Sequence, residues 1–185
     1  MVQAGCLGYT LSIMLQLSGS LLNRPVLSLR TGGQVATITG AIINPNNLKL
    51  EGFYCADAFE RKKTVVLVYQ DIRDIINQGV VINDHDVLSD PAELVRLKDI
   101  MRVRFDIMGK QVVTTSKQKI GKVVDYATEV ETMYIQKLYV AQSMLKNLTG
   151  GNLGVDRSQI VEITDKKIII NDLLQNVPAA ARAAA

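Results

Sequence analysis

Residues 35–55, VATITGAIINPNNLKLEGFYC, and residues 120–140, IGKVVDYATEVETMYIQKLYV, carry apolar side chains at the same places when laid over one another at an offset of 85. Val35 falls on Ile120, Ile38 on Val123, Leu48 on Met133, Leu50 on Ile135, Phe53 on Leu138 and Tyr54 on Tyr139. What repeats is the apolar pattern rather than residue identity, which is how a duplicated folding unit presents itself.

The match extends in both directions. Residues 71–84 (DIRDIINQGVVIND) lie over residues 159–172 (QIVEITDKKIIIND) at an offset of 88, and Pro25, Val26 and Leu27 lie over Gln111, Val112 and Val113 at an offset of 86. The step from 85 to 88 places a net insertion of three residues between Ala141 and Ser158, which marks a tolerant loop. Each unit of about 65 residues is large enough to close a small core, though a marginal one alone. The chain therefore divides into an irregular N-terminal segment (1–20), a first repeat (21–88), a linker with a helix (89–107), a second repeat (108–175) and a disordered tail (176–185).

Strand signals fill both repeats: short runs of Val, Ile, Thr and Tyr, many alternating, separated by Gly, Asn and Asp. Strands are expected over 24–29, 34–44, 48–56, 64–69, 72–76 and 79–83, and again over 110–115, 119–128, 132–140, 153–156, 159–164 and 167–172. Asn44 to Asn47 is a hairpin turn by composition. Six short antiparallel strands hide an apolar face best by curling, so the expected fold is mainly β, two tandem small antiparallel β-barrels joined by one α-helix. For that helix Asp90 is a suitable N-cap, Pro91 suits the first turn, Glu93 completes a capping box, and Leu94, Leu97, Ile100 and Met101 recur at helical spacing. A second short helix is expected over 141–148.

Composition narrows function by exclusion. A formal charge of +3 over 185 residues does not demand nucleic acid. The two cysteines, Cys6 and Cys55, fit a reducing cytoplasm, and Cys55, aligned with Val140, reads as a small buried apolar group. The first 23 residues are uncharged, yet Gly5, Gly8, Thr10, Ser12, Gln16, Ser18, Gly19 and Ser20 break the apolar run, so neither a signal peptide nor a membrane span is expected. A translation start at Met14 would leave residues 1–13 outside the native protein.

The single histidine, His85, is flanked by Asp84 and Asp86, but neighbours on an extended strand point to opposite faces, so a structural role at a junction is expected rather than metal or acid-base chemistry. Gly32-Gly33 and Gly150-Gly151 lack the Lys-Ser/Thr of a phosphate loop and read as turns. No catalytic residue, cofactor or metal ligand is assigned. The least ordinary surface is Lys110, Lys117, Lys119 and Lys122 around the first hairpin of the second repeat. The first repeat has Gln34 and Thr37 in place of Lys119 and Lys122, so the shared fold does not require those charges, and the four lysines are the candidate partner-binding residues.

The stretch GKQVVTTSKQKIGKVVDYATEVETMYIQKLYV (109–140) resembles the opening of a PRC-barrel domain: a short strand, a polar hairpin turn, Ile-Gly-Lys-Val, a long strand, a turn and a second long apolar strand. The first repeat carries the pattern with Ala36 and Thr37 in place of Gly121 and Lys122. The resemblance implies a tandem PRC-barrel protein that acts as a docking module without catalysis, as the reaction-centre H subunit and the barrel of a ribosome-maturation factor do. The expected function is thus a cytoplasmic, non-enzymatic adaptor for an unidentified protein partner, linked to ribosome maturation or RNA metabolism, through the barrel surfaces and the groove between the copies. Alternatives are direct RNA binding through the lysine hairpin and a membrane-associated role; a homodimer is compatible with either. If the chain has a specific surface, it should lie where the two copies differ.

Overall fold

The computed structural model describes residues 14–60, 62–142 and 152–172. In chain order the strands are β1 (Leu15–Leu17), β2 (Pro25–Ser28), β3 (Gln34–Asn44), β4 (Lys49–Asp57), β5 (Thr64–Val68), β6 (Ile72–Ile76) and β7 (Gly79–Ile82). After the helix α1 (Lys98–Val103) come β8 (Gln111–Thr114), β9 (Lys119–Glu129), β10 (Ile135–Gln142), β11 (Asn152–Asp156), β12 (Ile160–Ile163) and β13 (Lys167–Ile170). The protein is mainly β, and the repeat visible in the sequence is a repeat of structure. One sheet runs β5-β4-β3-β2-β7-β6 and the other β11-β10-β9-β8-β13-β12, the same order twice. Both sheets curl around their apolar faces. Their end strands, β5 with β6 and β11 with β12, are consecutive in the chain across single 3-10 turns at Tyr69–Asp71 and Arg157–Gln159.

One pairing in each sheet departs from the expected antiparallel pattern: β2 runs parallel to β7, and β8 parallel to β13. The β6–β7 hairpin turns its fully buried strand, Gly79–Ile82, inward against β2 and leaves Arg73 and Asp74 of β6 at the exposed edge. A glycine is required where β9 crosses β10, because a Cβ at Gly121 would overlap the Ala141 carbonyl oxygen.

Three other expectations need correction. Residues 15–20 are not irregular: β1 pairs with β9 of the second repeat and Ser18–Ser20 forms a 3-10 turn, a contact across more than a hundred residues that no local pattern announces. The linker helix is shorter than its capping residues suggest. Asp90 accepts hydrogen bonds from the Ala92 and Glu93 backbone N–H groups through its side chain and its carbonyl, respectively, and so caps only a turn. Leu94 then leaves helical geometry at φ −82°, ψ 70°, and the regular helix begins at Lys98. Leu94, Leu97, Ile100 and Met101 nevertheless form the half-buried face, as their spacing predicts. Finally, Ala141 and Gln142 belong to β10 rather than to a second helix, the rest of which lies outside the described residues.

The halves share one contiguous core. Val26, Ile38, Leu50, Phe53, Leu67 and Ile82 of the first repeat and Val112, Val123, Ile135, Leu138, Ile168 and Ile170 of the second belong to a single buried cluster. At about 1.5–3 kcal/mol for each fully buried aliphatic side chain, this joint core is the main term holding the two sheets together.

Candidate functional site

The repeats meet around a local pseudo-twofold axis, recognisable because contacts across it join residues that correspond in the duplication. Lys49 lies opposite Tyr134, its own counterpart, in an antiparallel bridge. Leu50 donates its N–H to the Met133 carbonyl at 2.8 Å, and Ile135 donates to the Leu48 carbonyl at 2.9 Å, each bond being the image of the other. Leu48 and Met133 both adopt left-handed backbone, φ 53° and φ 59°, although both are buried and neither is glycine. A left-handed non-glycine residue costs on the order of 1–2 kcal/mol. The strain is held here because it aims both carbonyls across the axis.

Side chains close this junction from outside. Lys49 Nζ lies 5.6 Å from the Tyr134 ring centre across the axis; within its own repeat it lies 4.1 Å from the Tyr69 ring centre and donates to the Tyr69 hydroxyl at 2.8 Å, as the Arg157 guanidinium lies 4.7 Å from the Tyr134 ring centre within the other. Tyr69 and Arg157 correspond at the offset of 88, so each copy contributes one cation and one ring with the positions exchanged. Arg157 also donates to the Asn47 carbonyl at 2.6 Å, which ties the second repeat to the turn of the first. These four residues were not singled out by sequence; a search for complementary swaps between the aligned copies would have found them.

Elsewhere the junction is open. A cleft of about 500 Å³ lies between the repeats, lined on one side by Thr39, Gly40, Ala41 and Tyr54, and on the other by Ser18, Tyr126 and the segment from Arg104 to Asp106. The cleft exists because the copies differ here. In the second repeat Asp125 accepts the Ser18 N–H at 3.2 Å and the Ser18 hydroxyl, and Tyr126 is buried. In the first repeat the corresponding residues are Gly40 and Ala41, which leave the space unfilled. Burial raises the Tyr54 phenol above its ordinary value, with the nearby Arg104 guanidinium working in the opposite direction. Burial likewise raises Tyr126, assisted by Asp106 and Asp125.

Of the four candidate lysines, Lys110 is engaged within the fold. Lys110 turns away to donate to the Thr164 carbonyl at 3.3 Å and to the Asp165 carbonyl, with its ammonium 4.6 Å from the Phe105 ring centre. Its counterpart Arg24 does the same in the first repeat, donating to the Asn77 carbonyl, so Lys110 has a structural task that the duplication repeats. Lys117, Lys119 and Lys122 are exposed on the β8–β9 hairpin and the outer face of β9. Lys117 adopts φ 66°, the conformation its counterpart Gly32 holds at φ 68°.

His85 is a junction residue. Its Nε2 lies 2.7 Å from Asp57 Oδ2, and its ring meets Phe59 edge to face at 5.1 Å, which fastens the chain after β7 to the end of β4. Burial alone would raise the Asp57 carboxyl. Hydrogen bonds from the Glu60 N–H, from His85 and from the Phe59 N–H outweigh it and hold the group below its ordinary value. Cys55 is a fully buried free thiol, pushed by burial up to about 12. Among the described residues no helix is long and apolar enough to cross a membrane. No family model and no curated protein matches the chain.

Proposed function

We propose that the protein is a non-enzymatic docking module, two curled sheets of the PRC-barrel type acting as an adaptor for a protein partner through the cleft between its repeats. The observation that carries this reading is the cleft itself, opened where Gly40 and Ala41 stand in place of Asp125 and Tyr126. Its chemistry favours binding over turnover. The Ser18 hydroxyl donates to the Asp125 carboxylate, which is a weak base for activating a nucleophile. The β-rich frame around it is rigid and shared by both repeats, as a recognition surface needs. The cytoplasm is the compartment this reading implies, with a link to ribosome maturation or RNA metabolism resting on the resemblance to PRC-barrel domains.

A second reading, RNA binding, is favoured by the exposure of Lys117, Lys119 and Lys122. Affinity capture from the native cell with nuclease treatment and a salt series separates the two. The docking reading expects a protein that is retained after nuclease and in the triple lysine-to-glutamate variant. Loss of the captured material on nuclease treatment, with affinity that falls steeply with salt, would favour RNA instead.

A further inference from the structure

Copying one side of the pseudo-twofold axis onto the other calls for a carboxylate where the molecule has none. On one side Ser18 meets Asp125 of the opposite repeat. Carried back past Pro25 and Gln111, the offset of 86 places Arg104 at the counterpart of Ser18, and Gly40 is the counterpart of Asp125, so the cleft is lined by a longer, cationic side chain and by a residue that has no side chain. Arg104 forms no ion pair among the described residues. Asp106, the acidic residue beside it, uses Oδ1 to accept the Met108 N–H at 2.9 Å. Arg104 also sits in left-handed backbone at φ 47°, ψ 45°, where it caps the end of α1. Glycine or asparagine holds that conformation at lower cost, so the arginine is kept there against local preference. Next to it, Ala41 leaves the space that the phenol ring of Tyr126 fills on the other side.

We infer that the cleft takes an acidic segment of the partner protein, in which an Asp or Glu carboxylate meets the Arg104 guanidinium and an adjacent aromatic side chain enters the space beside Gly40 and Ala41. An arginine fork is suited to a carboxylate at two points, and the ring supplies the apolar area a single ion pair lacks. The proposal rests on the docking reading above and names what that site recognises.

The test is a titration of the full-length, isotope-labelled protein followed by amide chemical shifts. The probe is a ten-residue peptide carrying one Glu-Tyr pair in a Gly-Ser background; the same peptide with Gln-Tyr and free 4-hydroxyphenylacetate are the comparisons. The expected result is movement of the Gly40 and Ala41 amides, with the Glu-Tyr peptide binding at least about tenfold more tightly than either comparison. Arg104→Gly, which removes the cation and suits the left-handed backbone, is expected to abolish binding while melting no lower than the parent. Equal binding of the Glu and Gln peptides at the cleft would overturn recognition of the carboxylate and leave docking there intact. Equal binding of the free acid would overturn the peptide in favour of a small molecule. Shifts confined to Lys117–Lys122, or none at Gly40 and Ala41 at millimolar peptide, would overturn both the proposal and the cleft as a docking site.

Discussion

The two ends of the junction between the repeats obey the same pseudo-symmetry and reach opposite outcomes. At Lys49 and Tyr134 the copies exchange backbone hydrogen bonds, and across the axis Lys49 reaches the Tyr134 ring and Arg157 the Asn47 carbonyl, so the surface closes on itself. At Gly40 and Asp125 one copy supplies the carboxylate that a facing residue needs and the other does not, so a cleft remains. Complementary differences between duplicated units seal an interface, and uncompensated ones leave a site.

Truncation of the shared core should have the greatest effect. Phe53 and Leu138 are counterparts and both are buried, so Phe53→Ala is expected to cost about 3–5 kcal/mol and Leu138→Ala about 2–5 kcal/mol. Because both belong to one cluster, denaturant unfolding of either variant should remain a single transition. Two resolved transitions would show that the halves fold separately.

At the next level, acid should remove a contribution at one position that the second repeat lacks. The Asp57 carboxyl is held below its ordinary value, so its contribution is fully present above the unfolded value near about 4 and is lost as pH falls through the lower folded value. The second repeat has Gln142 at that position and contributes no such term. Melting temperatures between neutral and strongly acid pH should fall less steeply for Asp57→Asn than for the parent, from a starting point lowered by about 1–3 kcal/mol. Parallel pH profiles would remove Asp57 from the account.

The smallest effect compares positions 32 and 117. Both are left-handed, one as glycine and one as lysine, so Lys117→Gly should raise stability by about 1 kcal/mol and Gly32→Lys should lower it by a similar amount in thermal melts. A loss of stability in Lys117→Gly would mean that the lysine side chain supports the hairpin.

The strands were legible because burial alternates in many of them, as in Pro25–Ser28 and Gln111–Thr114, and because two independent copies of each pattern had to agree. Partnership was less legible. Nothing in the GVVI run says that it will lie parallel to β2, and three residues of β1 are too few to reveal a pairing with the distant β9. The linker shows where local chemistry misleads: Asp90 is a capping residue in both a turn and a helix, and the backbone at Leu94 decides between them. For the site, the expectation that function lies where the copies differ led to the lysines, the most visible charge difference. The loss of a side chain at Gly40 and of volume at Ala41 mattered more to shape, yet a missing group leaves no motif. Only the pairing of those residues with Ser18 and Arg104 across the axis, a matter of tertiary structure, turns them into a cleft.

Gly40→Asp restores to the first repeat the carboxylate that the second repeat has in Asp125. A Cβ at Gly40 comes no closer than 3.6 Å to its nearest neighbour, Tyr54, so the backbone there accepts a side chain, and an aspartate is designed to give Arg104 the carboxylate that Asp125 gives Ser18. The account predicts a variant that melts higher by roughly 1–4 °C, the worth of one surface ion pair in a chain of this size, and that no longer captures the protein partner. A variant that melts no higher and captures the partner undiminished would contradict it.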